Sequence, residues 1–231
     1  MILVVQLTQS LQRRKSLYEQ TYEALREGIL AGKLLPGDRL IETQIAQQLQ
    51  VSRTPIREAL RQLQQEDLVV ADGSGWLRVA TVSATEAVQL YNCRIALETL
   101  SVTEACAQAS PAQLEQLVQC VTQAEALAER SPDAALSQQL LALDYRFHHL
   151  IAESTGNGCL VSLLEQVFNK MMLLRLQTTR HNPGVLEVRQ EHQEIYQAIA
   201  QREVKTAVAA VTSHLKASKS RVVKELTQLK S

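Results

Sequence analysis

The fold of this chain is decided by residues 51–63, which read VSRTPIREALRQL. Ser52 stands where a helix N-cap belongs, and Pro55 falls in the first turn, where its missing N–H breaks no helical hydrogen bond. The pattern therefore predicts a helix from Arg53 to about Glu66. Its apolar residues recur three and four positions apart and would form one buried stripe. They are Ile56, Ala59, Leu60 and Leu63.

The other face of this helix carries three arginines at four-residue intervals and has the chemistry of a DNA-reading surface. Arg53, Arg57 and Arg61 are opposed by Glu58 alone. A guanidinium can donate two parallel hydrogen bonds to O6 and N7 of guanine, whereas Thr54 and the helix N-terminus can hold phosphates. An ordinary charged surface is the alternative interpretation, and the neighbouring segments favour DNA binding over it.

These neighbouring segments complete the pattern of a winged helix-turn-helix. A longer helix is predicted over about residues 17–31, and a short helix around residues 45–49. After the arginine-bearing helix, residues 68–71 and 76–80 read as two strands, joined by a glycine-containing turn at residues 72–75. A hairpin in this place is the wing of such a domain.

Composition restricts the rest of the chain to helices. In 231 residues, 8 Gly, 5 Pro and 3% aromatic residues are too few for an all-β sandwich or barrel. We therefore expect a mainly α protein, with a winged helix-turn-helix domain followed by an all-α bundle of about six helices. The predicted divisions are an arm (1–16), the DNA-binding domain (17–81), a linker (82–84) and the helical domain (85–228).

Helix start signals recur through the second half of the chain. Ser83 and Glu86 form a capping box that opens a long helix to about Ala109. Further starts are predicted at Ser110-Pro111, Ser131-Pro132-Asp133, Gly156-Asn157-Gly158 and Asn182-Pro183-Gly184. Helices of this number and length are typical of a bundle.

The formal net charge is zero, but the charges are distributed unevenly. Residues 1–82 carry 10 basic and 9 acidic side chains, so DNA binding has to come from a local patch. Residues 83–200 carry 7 basic and 13 acidic side chains, which suits the binding of cations. No apolar run reaches membrane-spanning length, and the four cysteines form no C-x-x-C pair. We expect a cytoplasmic protein with no membrane partner.

Residues 34–40 and 51–63 resemble the DNA-binding domain of the GntR family of bacterial transcription regulators. The resemblance covers about residues 17–80, and the Ser-Arg-Thr-Pro-x-Arg-Glu-Ala-Leu core is highly specific. It implies that Arg53 and Arg57 contact the operator, and that the wing-tip glycine approaches the minor groove. The candidate DNA-binding residues are Arg39, Thr43, Ser52, Arg53, Thr54, Arg57, Arg61 and the wing-tip Gly75.

Several positions depart from the family pattern. Thr43 replaces a frequent arginine on the first helix of the helix-turn-helix, which alters or removes one operator contact. Ile41 replaces the usual capping serine, and Gln50 replaces the common turn glycine, which costs about 1 kcal/mol if that residue is left-handed. Asp72 and Trp76 occupy wing positions that are frequently basic. We therefore expect modest DNA affinity that depends on dimerisation.

Four residues of the helical part are spaced as metal ligands. Asp144 and His148 lie four positions apart on one predicted helical face, where both can bind one divalent ion. His192 and His214 lie on two later helices, and one acid and three histidines can converge inside a bundle. A single buried histidine is more often satisfied by an ordinary hydrogen bond, so spacing alone leaves both interpretations open.

Residues 144–151, 154–157, 191–199 and 214–215 resemble the FCD ligand-binding domain of the FadR branch, and the likeness spans about residues 85–225. Metal-containing members bind Zn, Ni or a similar divalent ion at the corresponding positions. The resemblance therefore implies a metal site whose ligands are Asp144, His148, His192 and His214. About six helices favour the shorter VanR-like group, and the complete ligand set argues against fatty-acyl-CoA binding.

The same resemblance implies that Arg94 faces the ligand cavity. There it would bind a carboxylate of a small organic acid whose other oxygens fill open positions on the metal. A surface ion pair with Glu98, four positions along the helix, is the alternative interpretation of this arginine.

The sequence thus predicts a homodimeric regulator that binds a short palindrome in double-stranded operator DNA and responds to a small organic acid at a divalent metal. Two alternatives remain. A metal at an open Asp/His site can activate water, as in a hydrolase, although no general base stands reserved for such chemistry. In the second alternative, the metal only stabilises the fold.

Overall fold

The computed structural model describes residues 15–128 and 134–229, which form a mainly helical protein. The first 14 residues of the predicted arm and the predicted helix start at 131–133 lie outside the described residues. The elements in chain order are α1 (Leu17–Leu30), α2 (Glu42–Leu49), α3 (Arg53–Gln65), β1 (Val69–Ala71), β2 (Leu77–Val79), α4 (Ala84–Gln108), α5 (Pro111–Ala128), α6 (Ala134–Glu153), α7 (Gly158–Thr179), a 3-10 helix (Pro183–Leu186), α8 (Arg189–Ala200) and α9 (Val204–Gln228).

The amino-terminal domain, here called the head, is a winged helix-turn-helix, as predicted. The apolar stripe of α3 is buried and packs against α1. Strands β1 and β2 form an antiparallel hairpin in which Val69 pairs with Val79. Arg39 adds an isolated bridge to Arg78 of β2, so the segment before α2 is tied to the wing.

The turn between α2 and α3 adopts the left-handed conformation, for which we expect a cost of about 1 kcal/mol at Gln50. Gln50 has φ 54° and ψ 39°, and its N–H bonds to the carbonyl of Ala46. A residue with a Cβ is strained in this region, where glycine is not. At the other end of α2, Ile41 provides no side-chain cap.

Helices α4 to α9 of the described chain form the carboxy-terminal bundle, as predicted. The capping box is confirmed, because Ser83 accepts from the Glu86 N–H at 3.2 Å and Glu86 accepts from the Ser83 N–H at 2.9 Å. α4 packs along α9 and also touches α6, α7 and α8, so it is central to the bundle. No described helix combines the length and apolarity needed to span a membrane.

One predicted start proved wrong. Asn182-Pro183-Gly184 opens a short 3-10 helix rather than a long helix, and α8 begins only at Arg189. Val185 and Leu186 of this 3-10 helix are buried in the core. The short helix therefore separates α7 from α8. The starts at Pro111 and Asn157 are confirmed.

Contacts from α7 hold the head against the bundle. The side chain of Gln177 exchanges two 3.2 Å hydrogen bonds with the backbone of Val82, before α4. Lys170 pairs with Asp67 at 2.6 Å, and Arg26 of α1 donates to Asn169 at 3.0 Å. The buried apolar cluster is continuous from the head into the bundle.

Replacing Gln50 with glycine is expected to raise the free energy of unfolding by about 0.5–1 kcal/mol. Relief of the left-handed strain exceeds the extra backbone entropy that glycine gains in the unfolded chain. Urea denaturation followed by circular dichroism measures the change. The matched control is Gln47→Gly, inside α2, which should lower the stability by about 1 kcal/mol. Equal losses for the two variants would contradict the assignment of strain.

Candidate metal centre and nucleic-acid interface

Three histidines from three helices meet in the interior of the bundle. His148 comes from α6, His192 from α8 and His214 from α9, and all three are buried. One ring nitrogen from each lies within 4.8 Å of the other two. The Nε2 atoms of His148 and His214 are 3.2 Å apart. The chain thus brings together three of the four predicted ligands.

The fourth predicted ligand, Asp144, lies beside this cluster one turn before His148. Its Oδ1 is 3.6 Å from Nε2 of His192. Both atoms are buried, and neither has a hydrogen-bond partner among the described residues. Burying such atoms without a partner costs free energy, so a cation between them fits the donor set.

Two carboxylates that the sequence analysis did not assign to the histidines face their outer side. Oε2 of Glu98 lies 2.6 Å from Nδ1 of His148, and Oε2 of Glu191 lies 2.6 Å from Nδ1 of His214. Arg221 in turn donates two hydrogen bonds to Glu191, at 2.8 and 3.0 Å. The carboxylate of Glu191 holds the proton on Nδ1 of His214 and leaves Nε2 of that ring free to coordinate, whereas Glu98 lies close to His148 without the alignment of a hydrogen bond.

The surroundings favour neutral imidazoles. Burial lowers the pKa of His192 well below its ordinary value, and the neighbouring His214 and His148 lower it further because like charges repel. Burial also lowers the pKa of His214, to about 4, against the opposing effect of its hydrogen bond to Glu191. His192 and His214 are therefore neutral at pH 7, which is the form that binds a metal.

Arg94 is buried inside the bundle, so the alternative that it lies on the surface is wrong. The partner is nevertheless Glu98, whose Oε1 lies 2.5 Å from Nε of Arg94, and the two side chains are 2% and 4% exposed. Burial raises the pKa of Glu98, but Arg94 and then His148 outweigh it and bring it to about 2. The charge of Arg94 is thus already balanced.

A second buried arginine, Arg175 of α7, was not predicted from the sequence. It donates to the carbonyl of Val185 at 2.9 Å and to the hydroxyl of Ser218 at 2.7 Å, while its Nε has no partner. No ion pair joins it to a carboxylate in the described ranges. Burial raises the pKa of Asp144, but the neighbouring positive charges outweigh burial and bring this pKa below its ordinary value. The charge of Arg175 has the largest effect among them. A lone arginine in the apolar run 171–176 was the available signal.

Two small cavities adjoin the cluster. One, of about 20 Å³, is lined by Arg94 and Arg175 together with Asp144 and His148. The other, of about 10 Å³, lies between Asp144 and His192 on the side of α5 and α8. Each has room for about one water molecule. An organic acid is larger, so its entry requires the walls to move.

The arginines of α3 have an acidic partner that the sequence analysis did not foresee. Arg53 donates to Oε2 of Glu42 from Nε at 3.1 Å and from Nη2 at 2.6 Å, and Arg57 donates to the same oxygen from Nε at 2.9 Å. The expectation that only Glu58 opposes these arginines is therefore wrong. Glu42 comes from α2, and only the tertiary fold brings it to α3.

The remaining candidate DNA-binding residues lie on the surface of the head. Gly75, at the tip of the wing, has φ +80° and open space around it. Arg39 lies over the exposed ring of Trp76, with its guanidinium carbon 3.4 Å from the ring centre. Ser52 occupies the N-cap of α3, but its side chain makes no capping hydrogen bond. Thr43, Ser52, Thr54 and Arg61 are exposed.

Two family models match the chain. The model of the FCD domain matches residues 89–217, and the one described as "Bacterial regulatory proteins, gntR family" matches residues 17–77. The first match alone covers more than half of the chain.

Curated relatives and solved structures agree with these matches. The chain is 28% identical over 197 residues to the uncharacterized HTH-type transcriptional regulator YdhC of Bacillus subtilis, covering 85% of this chain and 87% of that protein. It is 28% identical over 229 residues to the Uxu operon transcriptional regulator of Escherichia coli, covering 89% and 86%. The structure of E. coli McbR/YncC has a TM-score of 0.76 at 20% identity, covering 94% and 100%, and so shares the fold.

Replacing Glu98 with alanine is expected to lower the free energy of unfolding by about 3–5 kcal/mol. The substitution leaves Arg94 buried without its carboxylate. The double variant Arg94→Met/Glu98→Leu removes both charges and should recover most of the loss. Urea denaturation at fixed protein concentration measures both, with the exposed Glu125→Ala as the control expected to change stability by about 0.5 kcal/mol or less. A loss that small in Glu98→Ala would refute the role of the pair.

Proposed function

Because this chain belongs to the GntR family of bacterial regulators and carries an FCD domain, we propose that a small organic acid, bound at a divalent metal, sets its affinity for operator DNA. Its relatives are transcriptional regulators and not enzymes, so the hydrolase alternative is abandoned. A metal that only braces the fold remains an outcome of the tests below.

The observation that carries the proposal is the buried cluster of three imidazoles with the unpartnered Asp144 beside it. We propose that Asp144, His148, His192 and His214 hold Zn²⁺ or Ni²⁺, whose affinity for imidazole and carboxylate ligands is high. When bound, the ion supplies a Lewis acid to which carboxylate oxygens coordinate. Glu98 and Glu191 orient the two histidines that they contact.

The effector is expected to be an anion held by arginine. Arg175 supports this expectation most directly, because its Nε has no partner and it lines the same cavity as Asp144 and His148. Arg94 lines this cavity too, although Glu98 already balances its charge. A carboxylate next to Arg175 would gain charge-assisted hydrogen bonds in a buried site.

Helix α7 is the proposed link between the effector and the head. The cavity is smaller than an organic acid, and α7 supplies part of its wall through Phe168, Met171, Met172 and Arg175. The same helix holds the head through Asn169, Lys170 and Gln177. An effector that displaces the flexible methionines would move α7, and the head would follow.

The proposed DNA target is a short palindrome in double-stranded operator DNA, read in the cytoplasm by two heads of a homodimer. Arg57 and Arg53 lie on the exposed face of α3, with Thr54 and Arg61 beside them. Recognition helices of this domain type enter the major groove, and paired half-sites match the symmetry of the dimer. A dimer also compensates for the modest affinity of one head.

The His192→Ala variant is expected to lose most of its bound metal, because one of four ligands is removed. Metal content is measured by mass spectrometry of dialysed protein. Binding to a duplex selected from a random library should persist in the absence of effector, since the head is untouched. His181→Ala, which removes an exposed histidine, is the control. Metal content at the wild-type level in His192→Ala would overturn the ligand assignment.

A thermal-shift screen tests the effector in the same variants. Mono-, di- and tricarboxylates are added with and without Zn²⁺ or Ni²⁺, and a ligand at 100 times its Kd stabilises by about 2.7 kcal/mol. The wild type should be stabilised by at least one carboxylate only when metal is present. If metal raises the melting temperature but no carboxylate shifts either melting or DNA affinity, the metal is structural and the proposed response is wrong.

The Arg26→Ala variant should keep metal and effector binding but lose part of the response. Arg26 joins α1 to α7 through its 3.0 Å hydrogen bond to Asn169 and its proximity to Glu165. Couplings of this kind amount to about 1–3 kcal/mol, and we expect the effector-induced change in DNA affinity to fall at least threefold. Fluorescence anisotropy measures it, with the exposed Lys33→Ala as control. An unchanged response would exclude this contact from the coupling.

A further inference from the structure

One carboxylate holds two of the arginines proposed to contact DNA. Glu42 is the first residue of α2, and its Oε2 accepts three N–H groups, two from Arg53 and one from Arg57. The side chain of Glu42 is 25% exposed, whereas those of Arg53 and Arg57 are 52% and 61% exposed. The acid therefore lies beneath the guanidiniums, which face solvent.

The hydrogen bonds leave different edges of the two arginines available. Arg57 uses only Nε, so both of its terminal nitrogens remain without a protein partner in the described part of the chain. Arg53 uses Nε and Nη2 and keeps only Nη1. The bidentate contact with O6 and N7 of guanine needs two N–H groups on one edge. Arg57 presents such an edge.

We propose that Glu42 is a positioning residue for sequence recognition, which holds Arg57 with its terminal edge directed outward for guanine. The proposal rests on the DNA-binding function proposed above. By neutralising part of the charge of Arg53 and Arg57, Glu42 also weakens their attraction to phosphates of any sequence. The two effects act together to raise the ratio of specific to non-specific affinity.

A purely structural role for Glu42 would have different consequences. An acid in the first turn of a helix interacts favourably with the helix dipole, so Glu42 could serve only to stabilise α2. Ion pairs with such exposed partners add little to stability, however. The pKa of Glu42 lies below its ordinary value because the hydrogen bonds from Arg53 and then Arg57 outweigh the effect of burial. The carboxylate is therefore ionised whenever these arginines meet DNA at neutral pH.

Selection from a random duplex library, followed by sequencing, tests the proposal with the full-length protein. The variants are Glu42→Gln, which keeps the shape of the side chain, and Glu58→Gln, which removes the same charge from α3. Wild type and Glu58→Gln should enrich the same guanine-containing motif. Glu42→Gln should lose preference for one guanine in each half-site by about fivefold or more, the lower end of what a bidentate contact contributes.

Affinity for a scrambled duplex separates positioning from charge. Glu42→Gln and Glu58→Gln should both bind it more tightly than the wild type, with salt dependences steeper by up to about one unit of log K against log salt. Only Glu42→Gln should combine this gain with a weakened motif. An intact motif in Glu42→Gln would overturn the proposal. If the wild type enriches no sequence, the proposed DNA-binding function itself has failed.

Arg57→Lys provides a test that does not depend on α2. Lysine keeps the positive charge but lacks the two-pronged edge. This variant should lose preference for the same guanine that Glu42→Gln loses, while its binding to the scrambled duplex stays within about twofold of the wild type. Circular dichroism and the melting temperature check that each variant is folded. Loss of preference at different positions in the two variants would refute the link between Glu42 and Arg57.

Discussion

Three imidazole rings lie close together in the interior of the bundle, and the other buried polar side chains are arranged around them. Three imidazoles this close cannot all be protonated, because their positive charges would repel one another. To bind a cation, each ring must also carry its proton on the outer nitrogen, so that the lone pair of the other nitrogen points into the cluster. Glu191 sets that side for His214 through a hydrogen bond, and the carboxylate of Glu98 lies beside Nδ1 of His148. These carboxylates are in turn paired with Arg94 and Arg221. The histidine cluster is therefore the centre of a wider network in which neighbouring charges compensate one another.

Such a network is a poor way to obtain stability alone. Apolar residues of similar volume in place of buried ion pairs often leave a protein as stable or make it more stable. The unpartnered atoms of Asp144, His192 and Arg175 add to the cost of this arrangement. Their positions around the small cavities are consistent with the proposed binding of a cation and an anion together. In that account, metal and effector supply the partners that the protein leaves out.

The proposed transmission of the signal rests on the two faces of α7. Met171 and Arg175 face the cavity, and Asn169 and Lys170 contact the head. A Cβ on Gly32, which follows α1, would lie only 2.9 Å from Leu176, so the head approaches α7 closely. Packed elements of this kind move as units rather than deform, because protein interiors are dense.

Local patterns in the sequence determined the helical fold, the wing and the capping box at Ser83, and the resemblance to a known family indicated that the three histidines lie together. The first three depend on the spacing of residues along one element of structure and on motifs with a known structural meaning, whereas the meeting of histidines from three helices does not follow from spacing. Tertiary structure alone decided that Arg94 is buried, that Arg175 completes the cavity and that Glu42 reaches the arginines of α3. Each of these depends on how two helices approach, which no periodicity within one helix encodes. A charge in an amphipathic helix looks the same in the sequence whether its partner is water or a residue a long way along the chain.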